Sequence, residues 1–198
     1  KKINKASIKR AAQNRLRKGG SFRKVVEKKA EREFRRRKRR LMNDFNNHAI
    51  TREIEGGAYS SNVSGTLGGY GNLYSFIGFQ KGSSPIDPVR QALDRGVKLQ
   101  RKPKIRKTAK GQIFEYSISA PSQKELASFA PMPWEPGSWL LRVERGISGL
   151  GSYIYERSMN KSRSGTGVQA KGQLNKGVTY KRTTYMSKIL RDFVRSRR

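Results

Sequence analysis

Cysteine is absent from this chain of 198 residues, and histidine occurs once, at position 48. Disulfides, thiolate metal sites and a cysteine nucleophile are therefore excluded, and one histidine leaves little for a His-based metal site or a Ser-His-Asp triad. Carboxylates are also scarce, 14 against 45 Lys and Arg. In the middle of the chain they are scattered singly apart from Glu53 and Glu55, which argues against the clustered acids of a metal-dependent nuclease. No apolar run approaches the roughly 18 residues that span a bilayer, and the first residues lack the apolar stretch of a signal peptide. These absences predict a soluble, intracellular, non-enzymatic protein with no cofactor and no bound metal.

What is present is positive charge. The formal net charge is +31, far beyond what solubility requires. Residues 1–40 hold 19 basic and 3 acidic side chains, residues 41–155 hold 14 and 9, and residues 156–198 hold 12 and 2. A nearly ordinary middle flanked by two basic segments is the pattern of assembly proteins that lie against nucleic acid or an acidic partner. The expected domains are a basic arm at 1–20, an α+β core at 21–156, and a flexible basic loop with an amphipathic helix at 157–198. Residues 1–20 and 157–180 offer few apolar side chains for burial, so the core is expected to survive without them.

Phe22, Val25, Val26, Ala30, Phe34, Leu41, Met42 and Phe45 recur at helical spacing after Ser21, a candidate N-cap, and predict a helix over about 22–48. The run Arg35-Arg36-Arg37-Lys38-Arg39-Arg40 wraps that helix completely and interrupts its apolar stripe. Read as function it is a phosphate-facing band, since guanidinium groups grip phosphate oxygens in pairs. Read as plain structure it is a solvated face with local ion pairs to Glu27, Glu31 and Glu33.

Residues 55–82 are rich in Gly and Ser and read as turns, loop and one short strand. Ser64-Gly65-Thr66-Leu67-Gly68-Gly69-Tyr70-Gly71-Asn72-Leu73 has no Gly-Lys-Ser/Thr ending, so a phosphate-binding loop is rejected. Asp87 and Pro88 open a short helix closed by Gly96. Stretches 97–106 and 112–120 read as a β-hairpin, with Phe114, Tyr116 and Ile118 on a buried face. Lys98, Lys102, Lys104 and Arg106 alternate along its first strand, and Lys102, Lys104, Arg106 and Lys107 join the band as candidate polyanion contacts.

Ser122-Gln123-Lys124-Glu125 has capping-box spacing, predicting a helix that buries Leu126 and Phe129. Strands are expected at about 138–146 and 151–156, a loop over 157–180, and a terminal helix carrying Met186, Ile189, Leu190, Phe193 and Val194, capped by Thr183 or Thr184. The fold class is α+β: a small, mostly antiparallel sheet of four or five strands, helices on one side, a long N-terminal helix, a C-terminal helix, and basic extensions at both ends.

This order of elements, with Gly71-Asn72-Leu73 after the first helix, resembles the neck and tail-completion proteins of tailed double-stranded-DNA phages, which carry a Thr-Gly-Asn-Leu-like stretch there. Tyr70 departs from that pattern. The resemblance implies a structural virion protein of the head-to-tail junction, of tail-completion or tail-terminator type, assembled in the host cytoplasm. Its implied partners are further copies of itself in a hexameric or dodecameric ring, the adjacent connector and tail proteins, and double-stranded DNA bound without sequence preference, with no membrane. Tyr70, Leu73, Tyr74, Phe76 and Trp134 are the candidate subunit interface. Trp139, Tyr153 and Tyr155 are large aromatics that suit either an interface or a core, and Trp139 is assigned to the core. The alternative is a basic RNA-binding assembly protein, such as a ribosomal protein. The Lys, Ser and Glu face of the hairpin offers no stacking platform for it.

Overall fold

The long helix is present as α1, Gly20–Asn46, in a computed structural model that describes residues 20–101, 106–108 and 111–195. Residues 1–19, Lys102 and Lys104 lie outside the described residues. Ser21 falls inside α1 rather than capping it. After Asn46 the chain turns and starts α2, Ala49–Glu55, where His48 Nδ1 accepts the Ile50 N–H at 3.3 Å. That cap needs an unprotonated Nδ1. Burial, reinforced by the nearby Lys188 ammonium, holds His48 below the usual imidazole range.

The chain divides into two units, one formed by the part of α1 up to Lys38 with residues 97–119, the other by residues 39–96 and 120–198. In the first, β1 (Lys98–Arg101) pairs antiparallel with β4 (Tyr116–Ser119), Leu99 opposite Ile118, and β2 (Arg106–Thr108) pairs with β3 (Gly111–Ile113). The predicted hairpin is therefore formed. Its predicted buried face is not, because every residue of β4 is half-buried, Ser117 and Ser119 as much as Tyr116 and Ile118. A two-stranded ribbon has too little surface to enclose one face. Arg101 reaches α1 and pairs with Glu27 at 3.3 Å.

The second unit holds the main core. It contains α3 (Leu73–Ile77), α4 (Ile86–Gly96), α5 (Gln123–Ala127), α6 (Trp139–Arg145), the ladder of β5 (Tyr153–Tyr155) with β6 (Gly167–Gln169), and α7 (Met186–Arg195). Trp139, Tyr74, Tyr185, Phe45 and Leu41 are its largest fully buried side chains. Their rings interlock: Phe79 meets Trp139 edge-on at 6.0 Å, and Phe45 stacks on Tyr185 at 6.2 Å. The class is α+β. Among the described residues, the strands form three separate two-stranded ladders rather than one sheet.

Four expectations are corrected here. The short strand expected within 55–82 is the helix α3. The strand expected at 138–146 is the helix α6, which buries Trp139, Leu140 and Val143 while Leu141 stays half-exposed. Spacings of one and four are helical, but over seven residues Trp139, Leu141 and Val143 imitate alternation equally well. Phe129, expected to be buried beside Leu126, is 50% exposed. Finally, α7 is capped not by Thr183 or Thr184 but by Glu144 of α6, whose Oε1 accepts the N–H groups of Tyr185 and Ser187 at 3.2 and 2.8 Å. A carboxylate at a helix N-terminus also meets the positive end of the helix dipole.

The stretch 157–180, read as a loop, contributes β6 and buries Ser164, Gly165, Thr166 and Gly167. Thr166 Oγ1 lies 2.6 Å from Ser75 Oγ and donates to the Ala58 carbonyl at 3.1 Å. Small polar side chains have filled core positions by hydrogen bonding, which an apolar pattern does not register.

Gly167, opposite Tyr155 in the β5–β6 ladder, is required by Tyr153, two residues along the facing strand. A Cβ at Gly167 would lie 2.6 Å from the Tyr153 hydroxyl oxygen and 2.8 Å from the ring. Gly167→Ala is therefore expected to cost about 2 kcal/mol by overpacking, measured by urea unfolding. Tyr153→Phe should recover part of that loss in the double variant. It should cost little alone, because the buried hydroxyl has no hydrogen-bond partner among the described residues. A destabilising effect of Gly167→Ala that is unchanged in the Phe background would contradict this packing.

Candidate polyanion interface

The Gly-rich segment is organised from within by two buried polar side chains, Glu53 and Asn72. Glu53 accepts the Ser64 N–H on Oε2 and the Leu73 N–H on Oε1, each at 2.7 Å. Burial nonetheless pushes its carboxyl above the ordinary range, against the pull of those bonds. Asn72 caps α3 by accepting the Ser75 N–H at 2.9 Å, and its amide donates to the carbonyls of Ala58 and Ser60 at 2.9 and 3.0 Å. Between these anchors Gly65, Gly68, Gly69 and Gly71 take positive φ. Gly71 has no alternative, since a Cβ there would lie 2.7 Å from the Tyr155 ring. Asn72 followed at three residues by a helical Ser75 is a cap signal present in the sequence, whereas nothing local marks Glu53.

This arrangement decides the fate of the proposed interface residues. Leu73, Tyr74 and Phe76 are buried in the core, so they are not available as interface anchors. The reason is that Asn72 starts a helix where a loop was expected, and α3 turns these side chains inward. Tyr70 and Trp134 stay about half exposed, at 47% and 52%. The Trp134 indole donates to the Ile77 carbonyl at 2.6 Å, so its ring is fixed in place while one side faces solvent.

On α1 the band Arg35–Arg40 lies on continuous helix, with Arg35, Arg36, Arg39 and Arg40 exposed and Arg37 and Lys38 half-buried. Local ion pairs are present, as the plain reading expected. Arg36 and Arg37 pair with Glu33 at 2.9 and 3.0 Å, Arg35 with Glu31 at 3.7 Å, and Arg40 with Asp44 at 3.9 Å. The two guanidinium groups on Glu33 hold its carboxyl below the usual range. These pairs do not exhaust the charge, because α1 carries eleven basic and four acidic side chains. Arg106 and Lys107 lie on the β2 ribbon.

The exposed cations of α1 are not confined to the band. Lys24, Lys28, Lys29 and Arg32, one to three turns earlier on α1, are exposed as well. Contiguity singles out Arg35–Arg40 and misses them. Placing the charges on a helical projection at 3.6 residues per turn finds them.

Elsewhere, a groove of about 740 Å³ runs between α4 and α5, lined by Pro88, Ala92, Pro121, Leu126 and Phe129 with Asp87 and Glu125 among its polar groups. Among the described residues, no three His, Asp or Glu side chains gather in a way that suits a metal ion, and no helix is long and apolar enough to cross a membrane. Compared with family models, curated proteins and solved structures, the chain has no match.

Proposed function

We propose that this protein is a structural subunit of the head-to-tail junction of a tailed double-stranded-DNA phage, of tail-completion or tail-terminator type, forming a ring around the DNA channel. The observation that carries the reading is α1: 27 residues, roughly 40 Å long, bearing an exposed excess of Lys and Arg that local carboxylates neutralise only in part. A ring multiplies that charge, and such a ring is stable only with DNA in its lumen, an acidic neighbour, or both. The reading as a phage neck protein is supported by the resemblance in element order and in Gly71-Asn72-Leu73, the segment that caps α3. Tyr70 and Trp134 suit contacts between subunits or with adjacent connector and tail proteins. The assembled protein belongs to the virion.

The test is the oligomeric state of the purified chain, measured by sedimentation with and without duplex DNA. The expected result is a discrete closed ring whose DNA binding is indifferent to sequence and weakens steeply with salt, because phosphate contacts release condensed counterions. A monomer that selects structured RNA over duplex DNA would return the protein to the RNA-binding alternative.

A further inference from the structure

The carboxylates of α1 are not spread evenly around it. At about 100° per residue, Lys24, Lys28, Lys29, Arg32 and Arg39 fall within an arc of roughly 140°, whereas Glu27, Glu31, Glu33 and Asp44 all fall outside it. All five cations are exposed, and among the described residues none of them has an ion-pair partner. The arginines that pair turn toward the flanking acids, including Arg35 and Arg36, which fall within the arc but pair with Glu31 and Glu33 outside it. Arg37 is the clearest, with its side chain 23% exposed against Glu33.

We propose that this acid-free arc of α1 is a binding site for the phosphate backbone of duplex DNA, while the arginines that pair brace the helix through its own carboxylates. The inference rests on the reading of the protein as a DNA-channel subunit and deepens it, moving the contact from the whole band to one face that begins three turns before it.

Three features favour a duplex backbone over other anions. First, the arc contains no aromatic side chain between residues 24 and 40, so it has nothing on which an unpaired base can stack, and single strands gain little there. Second, Val25 is the only apolar side chain within that part of the arc, so there is no anchor of the kind that holds a protein partner, and lysine is itself depleted from such interfaces. Third, the arc from Lys24 to Arg39 is roughly 22 Å long. Over that length a duplex presents about a dozen phosphate charges. Flexible cations spaced about a turn apart meet such a charge array in many registers, which gives affinity without base recognition.

The experiment compares two full-length variants that lose the same charge. One is Lys28→Gln, Lys29→Gln, Arg32→Gln and Arg39→Gln together. The other is Lys124→Gln, Arg157→Gln, Lys161→Gln and Lys171→Gln, all exposed and off α1. Glutamine has nearly the helix propensity of Lys and Arg, and circular dichroism checks that both variants fold. The readout is duplex affinity across a salt series, using unrelated sequences. The arc variant should bind at least about tenfold more weakly at physiological salt and lose about 3 from the slope of log affinity against log salt, and the control variant should lose less than 1. Arg32→Lys with Arg39→Lys, which keeps the charge, should retain the parent slope.

Equal losses in both variants would mean that net charge alone acts, and would overturn the site. So would an arc variant that keeps duplex binding but loses binding to polyglutamate, or a parent that prefers single strands. Ring assembly is read separately by sedimentation. A parent that never closes a ring yet shows arc-dependent duplex binding upholds the site and refutes the neck reading, and a ring-forming parent with equal losses does the reverse.

Discussion

Excising residues 157–180 and closing the gap with a ten-residue Gly/Ser linker is expected to abolish cooperative thermal unfolding. The segment looks expendable by composition, but it supplies β6 and the buried run Ser164 to Gly167. It also supplies Tyr180, whose hydroxyl donates to the Val143 carbonyl at 3.1 Å and whose ring stacks on Phe76 at 6.3 Å. Removing it would expose Phe76 and Tyr153 and strip the Ser75 and Ala58 polar groups of Thr166. Loss of the transition with dye binding to exposed apolar surface is the expected signature. A sharp transition near the parent's would instead show that these residues are a loop in energy as well as composition. A milder variant reports on the same packing without removing chain: Thr166→Val keeps the shape but breaks the three hydrogen bonds of the hydroxyl, to Ser75, Ala58 and Ser164, and should cost about 1–2 kcal/mol.

Glu53→Ala should be the most damaging single substitution considered. It leaves the N–H groups of Ser64 and Leu73 without their acceptor inside the fold, at about 1–3 kcal/mol each, so a loss of about 4 kcal/mol is expected in urea unfolding. A loss below about 1 kcal/mol would mean that water replaces the carboxylate and that the Gly-rich loop is not held by it. Glu53→Gln separates charge from geometry, because one amide oxygen can serve only one of the two donors well.

The pH dependence follows from the direction in which burial moves Glu53. Its carboxyl titrates above the ordinary carboxylate value of about 4.5 in the folded state, so the folded state holds that proton more tightly than the unfolded state. Ionisation therefore costs stability at neutral pH, and the cost is relieved as pH falls through the folded-state pKa toward 4.5. Relative to Glu53→Gln, the parent should gain stability on mild acidification. His48 acts in the opposite sense: its folded-state pKa lies below 6.5, so its contribution is complete above that value and declines as pH falls below it. Measuring the Gln variant against the parent cancels the histidine.

The sequence by itself determined the features that local physics can set. The periodicity of α1, the capping box of Ser122 and Glu125, the opening of α4 near Asp87 and Pro88, the hairpin, and the apolar face of α7 all depend on residues within a turn or a strand of one another. So does the asymmetry of charge, which needs no structure to be counted.

Tertiary structure alone decided the rest, and in each case the deciding contact spans a long stretch of chain. Glu53 meets Leu73 across 20 residues, Ser75 meets Thr166 across 91, and Glu144 caps α7 across about 40. These partners are polar, so an apolar pattern cannot announce them. They turned a Gly/Ser loop into core and drew Leu73, Tyr74 and Phe76 away from the surface. Trp139, Leu141 and Val143 fit a strand as well as a helix until burial of Leu140 chose between them. Local propensity sets an element when its own residues carry the signal. Where a buried polar group must find its partner elsewhere, only the closed fold supplies the acceptor, and the element follows from that closure.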